Sequence, residues 1–304
     1  MLPAPEDAQY ILADPAAPPK GTVKHPEVKP NRDDVIAYWR LIDPDKINVS
    51  GDVKTTAPAK DSKLGPGGSP GHDGIYLTEP TAFVQFTSSS PGSEFTSGEF
   101  EFNKTSLIAS DPTVTCRLFK GGHMVVPADD TLYPDQFTIE AWVWPQWGPN
   151  ADTKFEHTLV TAGGHYRPPF DPSPLAGFHG FSIVADGTGH WQVRFPNVGD
   201  LFSSPPLVTH DKTHLAVTVA KEGALSRARL FVNGKEVLPP SNLVFYSPPK
   251  GSPLLIGVAS TQSDPTVATI PTTPVISLIQ ELVLHRKALS ANEIENHVDI
   301  NRPN

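Results

Sequence analysis

Two carboxylates stand one residue apart in Glu99-Phe100-Glu101-Phe102-Asn103, a spacing that could support hydrolysis. On a strand, alternate residues share a face, so Glu99, Glu101 and Asn103 point one way and both Phe rings the other. A retaining glycosidase needs two carboxyl groups roughly 5–5.5 Å apart, and positions i and i+2 of a strand fall near that range. A solvated polar face over a Phe-lined core produces the same alternation. Glu99 and Glu101 are the candidate acids of an enzyme, a glycoside hydrolase or lyase, but no catalytic residue is favoured.

Other side chains suggest binding. Trp147, between Pro145 and Gly148-Pro149, is the tryptophan expected to be exposed, and the stretch from His165 to His179, which holds Tyr166 and four prolines, is expected to form a stiff wall beside it. Sugar rings stack on aromatic faces while polar side chains read their hydroxyls, so Trp147, Tyr166, His165 and His179 are the candidate ligand-binding residues. Trp142, Trp144 and Trp191 could line the same groove, although strand aromatics more often belong to a core. The chain has 11 histidines, six of them between His157 and His214. None shows the i, i+4 spacing around a Glu that marks a helical zinc site, so hydrogen-bonded or surface histidines are the expectation. The single cysteine, Cys116, excludes an intrachain disulfide. It alternates with Val114 and Leu118 in Thr113–Phe119, the pattern of a buried small hydrophobe.

The elements that must position these residues are strands. With Gly 23 and Pro 34 among 304 residues, helices are strongly disfavoured, while short strands joined by ordered loops suit that composition. His214–Val219, Leu230–Val237, Leu254–Gly257 and Ile279–His285 are short Val, Leu, Ile and Phe-rich runs bounded by turn residues. Asn233-Gly234 predicts a two-residue hairpin turn, since both residues tolerate positive φ. Asp186-Gly187 predicts another, between Phe181–Val184 and Trp191–Phe195. Phe137–Trp144 reads as the middle strand of a sheet, with Phe137, Ile139, Ala141 and Val143 on one face and Thr138, Glu140, Trp142 and Trp144 on the other. Ser290-Ala291-Asn292-Glu293 is a capping box opening a short C-terminal helix through about Val298. Residues 1–34 form a Pro-rich arm, expected to pack along the sandwich or on a neighbouring subunit.

Partners are bounded by charge. A net charge of −9 with no Lys/Arg run argues against nucleic acid. No stretch approaches the roughly 20 apolar residues of a membrane-spanning helix. The N-terminus lacks the basic start and apolar core of a signal peptide, so the compartment expected is the cytoplasm, or the outside of the cell for a processed form.

The order Ala37–Leu41, Asp61-Ser62 with His72-Asp73-Gly74, Met124–Pro127 and Phe137–Val143 resembles the laminin-G-like jelly roll of the concanavalin A-like lectin/glucanase superfamily. His214–Thr218, Leu230–Gly234, Leu255–Gly257, Ile279–His285 and Ala288–Ile294 continue the resemblance to the C-terminus. It implies an all-β, two-sheet antiparallel jelly-roll sandwich over residues 35–304, with an extra stretch at about 81–111. Gln280-Glu281 stands where the family usually carries Asp-Glu. Many such jelly rolls hold a structural Ca2+, which takes 6–8 oxygen ligands; Asp61 and Asp73 are the candidates the resemblance nominates, with Glu281 third. Turn-capping Asp is the alternative. The function expected is a non-catalytic, lectin-like recognition domain for carbohydrate. The alternatives are a structural subunit whose arm and sandwich contact partner proteins, and a glycan-cleaving enzyme.

Overall fold

The computed structural model describes residues 34–39, 41, 57–59, 74–77, 99–102, 106–108, 116–120, 123–126, 130–146, 156–163, 180–186, 190–195, 199–206, 211–237, 241–248, 252–260, 271–272 and 275–301. Its strands are β1 (Val35–Trp39), β2 (Ala57–Ala59), β3 (Gly74–Leu77), β4 (Glu99–Phe102), β5 (Arg117–Lys120), β6 (His123–Val126), β7 (Phe137–Pro145), β8 (His157–Ala162), β9 (Phe181–Ala185), β10 (His190–Phe195), β11 (Gly199–Pro206), β12 (Thr213–Glu222), β13 (Leu225–Val232), β14 (Lys235–Glu236), β15 (Ser241–Leu243), β16 (Leu254–Ile256), β17 (Ala259–Ser260), β18 (Pro271–Thr272) and β19 (Ile276–His285). Helix α1 (Ala291–Asn301) follows.

The strands form two large antiparallel sheets. The first runs β14-β13-β12-β7-β19-β5-β4, with β1 also on β19 and β15 also on β13. The second runs β11-β10-β9-β8-β16-β6-β3-β2. Their facing sides share one core, in which Phe137, Ile139, Ala141 and Val143 of β7 join Phe181 and Ile183 of β9 and Trp191, Val193 and Phe195 of β10. The period-two pattern of β7 is thus realised, and β7 lies mid-sheet between β12 and β19. Its other face, carrying Thr138, Glu140 and Trp142, is also buried. Helix α1 and residues 106–108 account for much of that cover: Val298, Leu107 and Ile108 cluster with Trp142, Leu278 and Cys116. Cys116 is buried as expected, and burial pushes its thiol up to about 12, which leaves it without nucleophilic thiolate at neutral pH.

One bulge redirects β19. Gln280 pairs with Trp142 while Val283 pairs with Glu140, so three steps along β19 match two along β7. Glu281 absorbs the extra residue at φ 54°, a backbone region uncommon for a residue other than Gly. In consequence Ile279 and Leu282, three apart, both reach the core. Gln280 and His285 fall on the opposite side, and the Gln280 carboxamide accepts the Leu107 N–H at 2.7 Å.

The local motifs divide. Asn233 and Gly234 take φ of 51° and 79° between Val232 and Lys235, the turn their types demand. The second expected hairpin forms, but not with a two-residue turn at Asp186-Gly187. Asp186 N–H donates to the His190 carbonyl at 2.9 Å, so three residues lie between the last bonded pair. The Asp-Gly pair alone does not reveal where the last bonded pair falls. The capping box is present: Glu293 N–H donates to Ser290 Oγ at 3.3 Å, and Ser290 N–H to Glu293 Oε2 at 2.8 Å. The helix continues beyond Val298 to Asn301.

Burial alone would raise the Glu293 carboxyl above its ordinary 4.5, but Lys287 and Ser290 outweigh it and hold it at about 2. A carboxyl lowered by folding stabilises fully above its unfolded value and loses that contribution as pH falls through the folded one. The melting-temperature gap between wild type and Glu293→Gln is therefore expected to be constant above about pH 5 and to close towards pH 2; a gap independent of pH would contradict the assignment.

Gly180 joins the sheets. Its N–H donates at 2.8 Å to the carbonyl of Tyr246, on the segment that leaves β15 on the first sheet, while Phe181 begins β9 on the second. Its φ is 106°, and a Cβ there would stand 2.0 Å from the Ala162 carbonyl oxygen. Gly180→Ala must shift backbone, and a loss of about 2–4 kcal/mol by urea unfolding is expected from strain and clash together; a loss under about 0.5 kcal/mol, the scale of a neutral surface change, would show that the turn relaxes freely.

Candidate functional site

Two polar constellations emerge, one open and one sealed. The open one follows from the alternation of β9 and β10. Because Phe181, Ile183, Trp191, Val193 and Phe195 turn inward, Ser182, His190, Gln192 and Arg194 turn outward. Arg194 stands directly across from Ser182, and Ser182 across from Thr161 of β8. At the exposed end these side chains form one chain of hydrogen bonds. Arg194 Nη1 pairs with Glu156 Oε2 at 2.5 Å. Its Nη2 and Nε donate to Gln192 Oε1 at 3.0 and 3.3 Å. The Gln192 amide donates to Asp186 Oδ2 at 2.5 Å, and Asp186 Oδ1 accepts the His190 backbone N–H at 2.9 Å.

This array is fixed but not closed: the side chains of Glu156, Asp186, Arg194 and His190 keep between 16% and 30% of their surface exposed. Further along the same row Thr161 Oγ1 and Ser182 Oγ are buried with no hydrogen-bond partner. Orphaned hydroxyls in a sheet face are costly, and in native proteins they are commonly completed by water or a ligand. Planar amide, carboxylate and guanidinium groups at fixed spacing offer alternating donors and acceptors, which is what reading a polyhydroxylated molecule requires.

The sealed constellation centres on Glu140. Its direct cross-strand neighbours on the covered face, Ala216 and Val283, are small, and the diagonal positions on β12 and β19 carry His214 and His285. His297 arrives from α1. His285 Nε2 lies 2.8 Å from Glu140 Oε1, and His297 Nδ1 3.1 Å from Oε2. His214 Nε2 stands 3.3 Å from Oε2, close enough to ion-pair without the alignment of a hydrogen bond. Burial would raise the Glu140 carboxyl, but the charge of His297 and the contacts of the three imidazoles outweigh it and hold it well below the ordinary carboxylate range. Glu140 is 1% exposed and neither His214 nor His285 is exposed at all. No substrate reaches such a group, and among the described residues no set of three or more His, Cys, Asp or Glu is arranged to hold a metal ion. The cluster ties β7, β12, β19 and α1 together.

The residues nominated from sequence are only partly within view. Trp147, Tyr166, His165, His179, Asp61 and Asp73 lie outside the described residues, as do residues 1–33 of the arm. Glu99 and Glu101 lie on β4, at the end of the first sheet's strand order, where only the backbone is described. Glu281 is fully buried at the bulge, with the Gln280 amide 3.4 Å from its Oε1. Trp142 and Trp191 are core residues, not groove linings. The sequence reading missed both constellations. The one available signal for the open array was the outward set His190, Gln192 and Arg194 implied by β10's own alternation.

The architecture is that of a two-sheet antiparallel jelly-roll sandwich with a C-terminal helix. The Laminin_G_3 family, described as the concanavalin A-like lectin/glucanases superfamily, matches residues 119–295, more than half the chain, and the chain belongs to it. No curated protein matches the chain. Among solved structures, it is similar to a Trypanosoma rangeli sialidase in complex with 2,3-difluorosialic acid, at 14% identity and TM-score 0.49, covering 98% of this chain and 38% of that one. Another structure of Trypanosoma rangeli sialidase, in complex with sialic acid, gives 18% identity and TM-score 0.42, covering 61% of this chain; the match spans only 28% of the sialidase. Domain 4 of AbnA, a GH43 extracellular arabinanase from Geobacillus stearothermophilus, in complex with arabinotriose, gives 18% identity and TM-score 0.40, covering 73% of this chain and 98% of that one. Among the described residues no helix is long and apolar enough to cross a membrane.

Proposed function

We propose that this is a non-catalytic carbohydrate-binding domain, and that the partly exposed array of Glu156, Asp186, His190, Gln192 and Arg194 beside β10 is its reading surface. The observation that supports it is the continuous Glu156–Arg194–Gln192–Asp186 array, pre-organised and partly exposed on a rigid sheet. Pre-organisation lowers the ordering cost of binding, so a modest polar contact set can yield useful affinity. Membership of a superfamily described by lectins and glucanases supports the ligand class.

The same array supports binding without cleavage. Both carboxylates accept from fixed donors, whereas glycoside hydrolysis needs one carboxyl free to deliver a proton to the leaving oxygen. Trp147 and Tyr166 remain the proposed stacking partners for a sugar ring. Calorimetric titration against neutral gluco-, manno-, galacto- and xylo-oligosaccharides tests this reading. Binding is expected for at least one of them, with product analysis showing the sugar intact. No heat from any sugar, neutral or acidic, would overturn the proposal, and released reducing ends would replace it with the enzyme reading.

A further inference from the structure

Among the described residues the exposed large hydrophobic side chains are Leu225, Val244 and Tyr246, at 44%, 41% and 45% of their surface. Apolar residues exposed singly are ordinary, but these three come together. β12 and β13 run on past the start of β7 as a hairpin that turns at Gly223, and Leu225 follows the turn, paired with Glu222. β15 lies along β13 with Leu243 opposite Ser226, so one step further in that register Val244 falls beside Leu225. From there burial alternates: Leu243 and Phe245 turn to the core, while Val244 and Tyr246 turn out. The Tyr246 carbonyl accepts the Gly180 N–H at 2.8 Å, which ties this segment to the second sheet. An apolar corner thus stands at the end of the first sheet where β7 begins.

We propose that the N-terminal arm of the same chain covers this corner through Tyr10, Ile11 and Leu12. Position supports it. Asp34 precedes β1, Val35 pairs with His285, and His285 pairs with Thr138 beside the start of β7, so the arm enters at the same end of the sheet. The corner is reached from β1 across β19, β7, β12 and β13 to β15, five strand spacings or roughly 24 Å. Residues 15–33 are Pro-rich and cover about 3.1 Å each when extended, so reach is not limiting. Composition agrees: Glu6–Asp14 is the longest proline-free stretch of the arm, and within it Tyr10, Ile11 and Leu12 stand in succession. Without proline, such a stretch keeps the N–H groups that an extended segment needs beside a sheet edge. Charge and size narrow the occupant further. The charged residues around the corner are paired with one another, Lys221 with Asp135 and Glu222 with Arg227, which leaves apolar contact as the attraction. A stable interface between folded proteins takes about 800 Å² from each, more than three side chains less than half exposed supply. A tethered peptide is held at an effective concentration in the mM range and needs only a weak contact.

The test uses the full chain with Ala8→Cys carrying a nitroxide spin label. Cys116 is buried and its thiol is pushed up to about 12, so the label goes to position 8. The amide signals of Leu225, Val244 and Tyr246 are expected to be lost through paramagnetic broadening. Those of Thr213 and Val232, at the other ends of β12 and β13, are expected to survive. Adding Ile11→Asp to the labelled chain is expected to restore the lost signals. Signals lost evenly over the surface, signals lost only elsewhere, or a pattern unchanged by Ile11→Asp would overturn the proposal. So would loss of the same signals from isotope-labelled wild-type chains mixed with spin-labelled chains that carry no isotope, because the corner would then hold the arm of a second copy.

Discussion

Glu140→Ala is expected to destabilise the domain by about 3–5 kcal/mol, because removing one partner from a buried charged cluster strands the others. Without the carboxylate, His214, His285 and His297 keep their burial and lose the acceptor that orients them. For a domain of this size that corresponds to a fall in melting temperature of about 10 °C. Glu140→Gln should lose less, since the carboxamide retains one oxygen acceptor, while its N–H is satisfied only by an imidazole whose facing nitrogen is unprotonated. Hydrogen exchange adds a spatial readout: protection should fall most in α1, whose polar tie to the sheet under it is His297. A Glu140→Ala protein that melts within about 2 °C of wild type would show that the imidazoles are satisfied otherwise.

The pH dependence has a definite sign. The Glu140 carboxyl is lowered well below its unfolded value of 4.5, so its contribution is complete above about pH 4.5 and is lost only as pH falls through the lower folded value. The destabilisation caused by Glu140→Ala is accordingly expected to keep its full size at pH 5.

Gln192→Ala is expected to weaken oligosaccharide binding at least tenfold, about 1.4 kcal/mol, with little loss of stability. Gln192 is the middle of the array: it accepts from Arg194 and donates to Asp186, so its removal uncouples both neighbours at once. It is also partly exposed and contributes nothing to the apolar core, which β10 supplies through Trp191, Val193 and Phe195. A structural residue would lower melting temperature and affinity together, whereas a reading residue lowers affinity alone. Unchanged affinity in a folded Gln192→Ala protein would move the site off this face.

What the sequence made legible was whatever is encoded locally. The two faces of Phe137–Trp144, the Asn233-Gly234 turn and the Ser290/Glu293 capping box each rest on residues within a few positions of one another, and each appears in the structure. Cys116 was legible for the same reason. The Glu140 cluster was not, because its members lie 74, 145 and 157 positions away, and only the order of β12, β7 and β19 with the docking of α1 brings them together. The bulge at Glu281 compounds the difficulty. Strict alternation through Ile279–His285 would put Ile279 and Leu282 on opposite faces, yet both are core. Beyond the bulge every side chain changes sides relative to that reading.

The array was half legible. The alternation of His190–Phe195 was visible, but Glu156 and Asp186 join it only through pairing of β8 with β9 and β9 with β10. Aromatic residues in Pro-rich loops suggested the sugar-stacking candidates instead, and the superfamily resemblance suggested Asp61 and Asp73. A scaffold used for many ligands makes its fold easy to read, and it leaves the site to whichever polar residues happen to share a face.

The measurement closest to the central claim is chemical-shift mapping of the intact protein during titration with the oligosaccharide that gives the largest calorimetric signal. Perturbations are expected to concentrate on Glu156, Asp186, His190, Gln192 and Arg194, and to need at least tenfold more oligosaccharide to reach the same size in Gln192→Ala. Saturable shifts confined to β12, β13 or α1 of the other sheet, with β8–β10 unmoved, would contradict it.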